Sequence, residues 1–569
     1  MTNGEIADAF SLLGDLLELE GAVRHRVLAY RRGAARVRSA PASVAEMALR
    51  GRATDLPDIG ATLQAKIVEL AETGVISALE KARERTPEGL VRVARLEGIG
   101  PKRAMALWRG LGVTDIDGLR AAAEAGRLRT VAGMGPATEA QIVAQLQAPG
   151  AGEAGAERIS MGLALPQAEA LAAELRSVPG VARVEVAGSL RRGRETVHDA
   201  DVVVASTDPA AVAAALDASP LVAMSAGGGE LRRAVMTHPG LRIEVSIAPP
   251  ERFGNLLQHA TGSAQHNVRL RELALKRGIS MSEHGLTAAD GAVTVHAEEE
   301  LVYAALGLAW IPPELREDRD ELAVAARGEV PRLVGREDIL GEIHMHSDWS
   351  DGRADMATMV LAARDRGYRY IGIADHSQSL AMTRGLTPDR VRRQWEAVDE
   401  LNARVDGITV LKCTEVDILA DGRLDFDDDL LEGFDLVVAS LHSGLRAAGD
   451  EGTARVLAAI ENPHVDAIGH PRGRMMGRRE GLDLDIAAIA ERAAATGTYL
   501  EINGQPRRLD LDSGLARTAL AAGARLLLSS DAHSPDELGY LDLALRVARR
   551  AGARPEDVAN TRMPDAWRA

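Results

Sequence analysis

The stretch "GEIHMHSDWSDG", residues 341–352, decides the fold of the C-terminal part of the chain. It begins with a short apolar run and contains His344, His346 and Asp351, three side chains that can bind a metal ion. Short apolar runs separated by helical stretches are typical of buried parallel strands. Because ligands at the ends of successive parallel strands meet on one face of an α/β barrel, the stretch predicts such a barrel with a metal site.

The same pattern recurs along the following 190 or so residues. The runs "YIGIADH", "ITVLKCTEVD", "DLVVASLH", "VDAIGH" and "RLLLSSDAH" each contain one or two further candidate ligands. A single buried histidine is more often a core residue, but a series of ligands at strand ends predicts a metal cluster that can hold a phosphate between cations. The complete set is His344, His346, Asp351, His376, Glu415, His442, His470, Asp531 and His533.

This ordered pattern resembles the PHP family of metal-dependent phosphoesterases, and every position of the family's motif is filled over roughly residues 335–569. The resemblance implies a distorted (β/α)7 barrel with up to three metal ions. Mixed nitrogen and oxygen ligands suit Mn²⁺, Zn²⁺ and Fe²⁺ alike. The implied ligand sets are His344, His346, Glu415 and Asp531 for one ion, Asp351 and His376 for a neighbour, and His442, His470 and His533 to complete the cluster.

Composition limits the class of protein. The chain has 569 residues, a net charge of −16 and one cysteine, Cys413. This length predicts three or four domains, and a single thiol excludes a disulfide framework and fits a reducing cytosol. No apolar run approaches the roughly 20 residues of a membrane span, and the acidic N-terminus is unlike a signal peptide. We therefore expect a cytoplasmic protein with no membrane partner.

A glycine-containing turn recurs in "LPDIGATLQAKI", "LEGIGPKRAMAL" and "VAGMGPATEAQI". Each turn is followed by a helix whose first N–H groups can bind a phosphate. The copies resemble helix-hairpin-helix motifs, which bind the DNA backbone without reading sequence. One such turn is equally typical of a structural hairpin, and Asp58 replaces a glycine in the first copy, but three copies predict DNA binding. The implied contact residues are Gly60, Gly98, Gly100, Gly133 and Gly135.

A second candidate centre lies in "VEVAGSLRRGRETVHDADVVVAS", residues 184–206. Asp199 and Asp201 alternate along a predicted strand, so both carboxylates point to one face and repel each other unless a cation such as Mg²⁺ lies between them. In "LRIEVSIAPP", residues 241–250, Glu244 faces as a third metal carboxylate would. A solvated edge strand is the plain alternative, but the spacing favours two-metal phosphoryl transfer.

The turn at Gly188 and Ser189 precedes these carboxylates and can hold phosphates through its backbone. Three arginines follow it and can neutralise phosphate charge: Arg191, Arg192 and Arg194. Downstream, "LLQHATGSAQHNVRLRELA" contains further polar positions. Together these motifs resemble a family X DNA polymerase. The implied nucleotide-binding residues are Gly188, Ser189, Arg192, His259, Gly262 and Asn267, with Arg271 at the template minor groove.

The resemblance extends to the lyase domain of the family, through "RHRVLAYRRGAARVRSAP" and "LPDIGATLQAKIVELAETG". His25, Arg26 and Tyr30 correspond to positions that bind a 5′-phosphate. Lys66 corresponds to the Schiff-base lysine, whose amine attacks a deoxyribose aldehyde when its pKa is lowered. An ordinary phosphate contact or a solvent-facing lysine is the alternative for Lys66.

The joined resemblances imply a multidomain α+β and α/β protein: a helical helix-hairpin-helix N-terminal region, a nucleotidyltransferase palm with thumb, and a C-terminal PHP barrel. A family X polymerase fused to a PHP domain is a bacterial architecture, which implies the bacterial cytosol or nucleoid. The predicted divisions are 1–85 lyase-like, 86–147 fingers, 148–157 linker, 158–250 palm, 251–315 thumb, 316–336 linker and 337–569 PHP domain.

The implied function is that of a DNA repair enzyme that acts as a monomer on gapped or primed DNA with dNTPs. It would fill gaps in base-excision repair with Mg²⁺ or Mn²⁺ at the palm. The PHP domain would supply 3′–5′ exonuclease activity, with abasic-site endonuclease activity as a further candidate. Other readings are a non-enzymatic DNA-end scaffold and, for the C-terminal half alone, a small-molecule phosphatase.

Three positions depart from the polymerase pattern. Glu244 stands where aspartate is usual, Ser246 replaces an arginine, and His259-Ala260 replaces a pair that packs against the nucleotide sugar. One extra methylene moves a carboxylate by about 1 Å, which can lower the rate on the order of 10²-fold. We therefore expect a weak, Mn²⁺-favouring polymerase with relaxed sugar choice, or a PHP nuclease whose palm only positions DNA.

Overall fold

The computed structural model describes residues 1, 3–38, 40, 43–96, 99–131, 134–135, 138–139, 142–143, 146, 158–445, 449–476 and 479–567. Contacts divide the chain into two compact units: Met1–Glu157 with Asp483–Asp485, and Arg158–Leu482 with Ile486–Ala569. The predicted contact residues Gly98 and Gly133 and the predicted linker 148–157 lie outside the described residues. None of the described helices is long and apolar enough to cross a membrane.

The N-terminal unit is helical, as its short amphipathic stretches predict. Its apolar positions recur at helical spacing and bury Phe10, Leu13, Ile67 and Leu107 in one core. Gly112 takes a left-handed conformation (φ 70°) and so ends the helix that precedes it. The described helices are Asn3–Leu19, Arg24–Arg38, Val44–Leu49, Ala61–Thr73, Ser77–Arg85, Gly89–Arg95, Gly100–Leu111 and Ile116–Glu124.

The second unit begins with a mixed five-stranded sheet. In the order β2-β4-β7-β6-β5, strand β4 is internal and pairs in parallel with β7 and antiparallel with β2, whereas β1 and β3 form a separate two-stranded sheet. The strands are β1 (Ile159–Ser160), β2 (Val181–Ala187), β3 (Thr196–Val197), β4 (Asp199–Ser206), β5 (Val222–Gly228), β6 (Arg232–Thr237) and β7 (Arg242–Ala248). The helices are Met161–Arg176, Gly188–Arg191 and Pro209–Ala218.

The thumb follows the sheet and contains a buried ionic network. Its helices are Phe253–Thr261, Ala264–Lys276, Glu299–Ala305 and Glu321–Ala326, and its strands are β8 (Ser280–Ser282), β9 (Gly285–Thr287) and β10 (Val293–Thr294). Arg316 is fully buried and donates to Glu299 at 2.5 Å, while Arg191 donates to both oxygens of the same carboxylate. Burial alone would raise the pKa of Glu299, but Arg316 and Arg191 hold it well below its ordinary value.

The C-terminal part is a barrel of seven parallel strands in chain order. They are β11 (Gly341–Met345), β12 (Tyr370–Ile373), β13 (Thr409–Asp417), β14 (Leu436–Ser440), β15 (Ala467–Gly469), β16 (Tyr499–Asn503) and β17 (Leu526–Ser529). A parallel bridge between Met345 and Ala532 brings the first strand to the end of the last. The helices are Met356–Asp365, Pro388–Asn402, Asp428–Leu431, Gly449–Ile460, Ile486–Thr496, Ser513–Ala521 and Leu541–Ala551.

The predicted fold class is confirmed, because a helical N-terminal region, a thumb and a distorted (β/α)7 barrel are all present. The strand residues are buried on both faces, as in β11 and β14, where every position is buried. This explains why the strands appear in the sequence as continuous apolar runs and not as alternating ones. One strand, β16, was not predicted, since the run "TYLEING" contains no candidate ligand.

We expect Glu299→Gln to lower the free energy of unfolding by about 3 kcal/mol, because it leaves the buried Arg316 guanidinium without its counter-charge. Glu461→Gln, which removes an exposed ion pair with Arg492, is the matched control and should change nothing measurable. Urea titration followed by circular dichroism compares the two variants with the parent chain. Equal stabilities for both variants would contradict the prediction.

Candidate metal centre and second acidic centre

The nine predicted metal ligands come together at the carboxyl ends of the barrel strands. Glu415 lies within β13 and His344 within β11, whose last residue is followed at once by His346. The others follow strand ends or stand in the loops beyond them: Asp351, His376, His442, His470, Asp531 and His533. Six of the seven strands therefore bring ligands to one face of the barrel, which is the arrangement expected from the sequence.

The ligand atoms form four overlapping groups, within each of which they all lie within 4.8 Å of one another. Because the groups share members, they form one cluster, and a cation bound by one group would lie close to the ligand atoms of the next. The groups are His346, Asp351, His376 and His533; His344, Glu415 and His470; His344, His346 and Asp531; and His376, Glu415 and His442. This geometry differs from the predicted sets in grouping His346 with Asp351 and in associating Glu415 with His470 and His442.

Glu415 is the central carboxylate of the cluster. One oxygen lies 2.8 Å from His470 Nε2 and 3.3 Å from His442 Nε2. The other lies 2.9 Å from His376 Nδ1 and 3.4 Å from His344 Nε2. The second oxygen also lies 3.7 Å from His346 Nε2, so each oxygen faces its own histidines and Glu415 would serve as a ligand of more than one cation.

The buried polar atoms of this cluster fit divalent cations. Polar atoms inside proteins are nearly always hydrogen-bonded, yet several ligand atoms here are buried and make no hydrogen bond of favourable geometry, although other ligand atoms lie close to them. They are His344 Nε2, His346 Nδ1 and Nε2, His376 Nδ1, His470 Nδ1 and Glu415 Oε1. So many buried ligand atoms without hydrogen bonds, in groups whose members lie within 4.8 Å of one another, indicate a site built for metal ions.

The pKa values of the cluster histidines shift in opposite directions: against the effect of burial, Glu415 and Asp417 raise the pKa of His442 to about 10 and Asp351 raises that of His533 to about 9, so a cation that binds there must displace protons. Burial, together with His533 and His376, lowers the pKa of His346 to about 3, so its imidazole is neutral. Burial alone would raise the pKa of Glu415, but the surrounding histidines, His442 and His344 foremost, hold it well below its usual range. Neutral imidazole and ionised carboxylate are the forms that bind divalent cations.

Residues that the sequence did not indicate orient the ligands from behind. Glu501 lies 2.5 Å from His344 Nδ1, and Asp417 lies 2.5 Å from His442 Nδ1. Asn503 donates to Asp531 at 3.0 Å. Such contacts fix which imidazole nitrogen faces a metal. A signal was available in the sequence, since Asp417 follows Glu415 at the alternate position and "LEIN" places two polar residues at the end of an apolar run.

Arg508 lies beside the cluster, with its Nε 3.3 Å from an oxygen of Asp531 and its side chain 17% exposed. Three arginines in the segment after His470 instead donate to backbone carbonyls: Arg472 to Leu482, Arg474 to Arg508, and Arg479 to Gly473. Among these arginines, Arg508 is thus the one whose side chain contacts a ligand of the barrel cluster. It is well placed to neutralise a phosphate held at the cluster.

The three palm carboxylates are brought together by strand pairing. Asp199 and Asp201 lie on β4, and Glu244 lies directly opposite Asp201 on β7. Burial, with Asp199 and Glu244 nearby, raises the pKa of Asp201 to about 7, as expected for a carboxylate whose negative neighbours need a cation. Glu244 is also held by two arginines, Arg232 at 2.5 Å and Arg242 at 3.1 Å.

Gly188 and Arg192 border this acidic group. Gly188 has φ +60°, and a Cβ there would overlap the Asp201 carboxylate, so both the conformation and the close approach require glycine. Ser189 lies in the helix Gly188–Arg191 directly after it. Arg192 is only 12% exposed, pairs with Glu317 at 2.9 Å and also donates to the backbone oxygen of Thr261.

The predicted thumb residues lie in and between the helices Phe253–Thr261 and Ala264–Lys276. The Asn267 side chain accepts from Gln258 at 2.9 Å and donates to the backbone oxygen of His259 at 2.8 Å. Arg271 donates to the backbone oxygen of Asn267, and Gly262 has φ +67°. These contacts tie the predicted nucleotide-binding positions to one another.

The predicted DNA contacts of the N-terminal unit differ in exposure. His25 and Arg26 are exposed on the helix Arg24–Arg38, whereas Tyr30 is buried, with its ring 5.9 Å from that of Phe10. Lys66 is half-buried on the helix Ala61–Thr73. Of the turn glycines, Gly60 precedes that helix, Gly100 begins another with φ +64°, and Gly135 is exposed.

Family models match three segments of the chain. A helix-hairpin-helix domain matches residues 1–76, a SAM-like helix-hairpin-helix tandem matches residues 91–148, and a DNA polymerase beta thumb matches residues 256–317. The first two cover the turns identified above, and the third covers most of the predicted thumb. The helical unit and the thumb are therefore similar to modules of DNA-binding proteins and polymerases.

Curated relatives match the whole chain and its C-terminal part. The "DNA polymerase/3′-5′ exonuclease PolX" of Bacillus subtilis (strain 168) is 36% identical over 551 residues, which are 96% of this chain and 95% of that protein. A "probable phosphatase" of Syntrophotalea carbinolica is 30% identical over 230 residues, 38% of this chain and 90% of that protein. Another, of Thermoanaerobacter sp. (strain X514), is 31% identical over 171 residues, 28% of this chain and 67% of that protein.

Because Glu415 contacts five histidines, we expect Glu415→Gln to remove at least about one equivalent of bound metal per chain. Glu396→Gln, at an exposed position on the barrel helix Pro388–Asn402, is the matched control and should keep the full content. Metal is counted by inductively coupled plasma mass spectrometry after gel filtration. An unchanged content in Glu415→Gln would show that this carboxylate holds no ion.

Proposed function

This chain belongs to the PolX family of DNA polymerase/3′–5′ exonucleases, and on that premise we propose that it fills short gaps in DNA during base-excision repair. It is a DNA polymerase joined to a PHP-type exonuclease, and its substrates are DNA and dNTPs. The observation that carries the nuclease function is the complete cluster of nine ligands at the barrel mouth. The observation that supports synthesis is the pairing of Asp201 with Glu244 beside Asp199.

At the palm, we assign the cations to Asp199 and Asp201, with Mg²⁺ or Mn²⁺ as the ion. Gly188, Ser189 and Arg192 would bind the triphosphate, because a glycine turn and a guanidinium lie beside the carboxylates. His259, Gly262 and Asn267 would contact the incoming nucleotide. Arg271 would contact the template strand. Glu244 would act at the primer 3′-hydroxyl.

At the barrel, the nine-ligand cluster would hold up to three ions of Mn²⁺, Zn²⁺ or Fe²⁺. Divalent cations at either centre would neutralise phosphate charge and acidify a bound water or hydroxyl. Glu501 and Asp417 keep the imidazoles of His344 and His442 oriented for this task. Arg508 would stabilise the negative charge that develops on the cleaved phosphodiester. Abasic-site cleavage would use the same centre.

The helical unit would bind the DNA backbone around a gap. Its exposed His25 and Arg26 would lie at the 5′-phosphate with Tyr30, and Gly60, Gly98, Gly100, Gly133 and Gly135 would present backbone N–H groups. Lys66 would supply lyase chemistry if it reaches a deoxyribose aldehyde. We propose that the enzyme acts on gapped DNA as a monomer.

A second candidate function is a nuclease whose palm mainly positions DNA. The observation that favours it is the pair of arginines on Glu244, because they engage the carboxylate that synthesis would need. The replacement of the usual aspartate by Glu244 acts in the same direction. Both functions share the barrel chemistry and differ only in the rate of nucleotide addition.

We expect Asp201→Asn to abolish primer extension while trimming continues, and His346→Ala to do the reverse, because each change removes a ligand from only one centre. The measurement is the length of an end-labelled primer on one-nucleotide-gapped DNA with Mn²⁺, with and without dNTPs. Each variant is the control for the other. Loss of both activities in either variant would contradict two separate centres.

We expect Glu244→Asp to raise the kcat of gap filling by about tenfold or more, since the shorter side chain moves the carboxylate by about 1 Å away from Arg232. Glu230→Asp, at an exposed position of the same domain, is the matched control. Single-turnover extension with Mg²⁺ and with Mn²⁺ gives the rates. A fall in rate would show that the active site is adapted to glutamate.

A further inference from the structure

The barrel contacts the palm immediately before the catalytic strand β4. Gly193 has φ +67° and approaches the barrel helix Leu541–Ala551 so closely that a Cβ would lie 3.1 Å from the backbone oxygen of Arg546. The backbone N–H of Ser513, in the barrel, donates to Glu195 at 2.7 Å. The palm segment 192–195 therefore rests on barrel residues along its length.

Arg550 makes the most direct of these contacts. Its Nη1 donates to the backbone oxygen of Arg192 at 3.0 Å and to Glu317 at 2.9 Å. The Arg550 side chain is only 4% exposed, so these contacts are shielded from water. A barrel side chain thus holds both the backbone of Arg192 and the carboxylate with which the Arg192 side chain pairs.

Glu317 is shared by three arginines. Arg192 donates to one of its oxygens at 2.9 Å, Arg194 approaches the other at 3.4 Å, and Arg550 donates to the first. Burial alone would raise the pKa of Glu317, but Arg550 and Arg192 lower it to about 2, so the carboxylate stays ionised. One negative charge shared in this way leaves the three arginines with a net positive charge of two.

That surplus matters at the nucleotide site. If Glu317 paired with Arg192 alone, it would neutralise the guanidinium that should meet the triphosphate. Arg550 also pairs with this carboxylate, so Glu317 interacts less strongly with Arg192. Arg550 also holds the backbone of Arg192 in place through its hydrogen bond. Removing Arg550 would both tighten the Arg192–Glu317 pair and release the palm segment, and both changes weaken phosphate binding.

We propose that Arg550 of the barrel is a positioning residue for nucleotide addition, holding Arg192 where it binds the triphosphate of the incoming dNTP. This inference rests on the proposed polymerase function and on the proposed role of Arg192. The barrel is then a structural part of the polymerase site as well as the exonuclease. Arg550 itself touches neither nucleotide nor DNA in this role.

The test is Arg550→Met in the full chain. To keep the primer intact, nucleotide measurements use a His346→Ala background, in which trimming should be absent. The dissociation constant of the correct dNTP is measured on a one-nucleotide gap with a dideoxy-terminated primer, and KM and kcat with an ordinary primer. We expect the dissociation constant and the KM for the dNTP each to rise about tenfold, and kcat to change by less than about threefold.

Two further variants separate positioning from general damage. Arg492→Met, which removes an exposed ion pair elsewhere on the barrel, should leave every value unchanged. Arg550→Lys, which keeps the charge near Glu317, should restore most of the dNTP affinity. Arg550→Met with the native His346 should keep its exonuclease rate and metal content, since Arg550 contacts none of the nine ligands in the structure.

The outcomes are distinguishable. Unchanged dNTP binding in Arg550→Met overturns the inference, and so does a parallel loss of dNTP binding, exonuclease rate and metal content, which would make Arg550 a general stability residue. If the parent chain binds dNTP but does not extend a primer, the polymerase part of the proposed function fails. The binding constants of the variants still decide the role of Arg550 in that case.

Discussion

The burial of charged and polar side chains at the barrel mouth is the constraint on which the C-terminal structure depends. His344, Glu415 and Glu501 are almost completely buried and lie within one contiguous group. Burial of an ionised carboxylate is unfavourable unless cations or hydrogen bonds compensate it. The seven parallel strands provide that environment because their apolar runs fill the barrel beneath, and their carboxyl ends all face the same side. The fold and the metal chemistry therefore require each other.

The palm also brings several carboxylates together, but it balances their charge in a different way. Its carboxylates lie on neighbouring strands of an open sheet, and arginines on the same sheet hold Glu244. A cation that binds beside Asp199 and Asp201 would therefore be attracted by the three carboxylates and repelled by the arginines. This is a physical reason why one glutamate in place of aspartate bears on the rate of synthesis, whereas the barrel cluster, enclosed by its own strands, has all its predicted ligands together.

Short-range patterns in the sequence predicted much of this structure, and long-range contacts account for the rest. The apolar runs that end in ligands located six of the seven barrel strands, and the alternation of Asp199 and Asp201 located the palm centre. Strand β16 was missed because Glu501 and Asn503 act through His344 and Asp531, which are distant in sequence. The pairing of Arg192 with Glu317 joins residues 125 positions apart, so no local pattern could indicate it.

The loop that follows β16 contacts both the metal cluster of the barrel and the palm. Arg508 on this loop contacts Asp531 of the metal cluster, while Pro506 accepts a hydrogen bond from Ser160 and Ser513 donates to Glu195 of the palm. These ten residues thus contact the exonuclease cluster at one point and, at two others, the palm segments that carry and precede the small sheet of β1 and β3. A short, well-packed loop resists deformation, so its two ends keep a fixed spacing and a displacement at one end is transmitted to the other. The barrel is therefore better understood as a rigid support of the palm than as a separate domain attached to it.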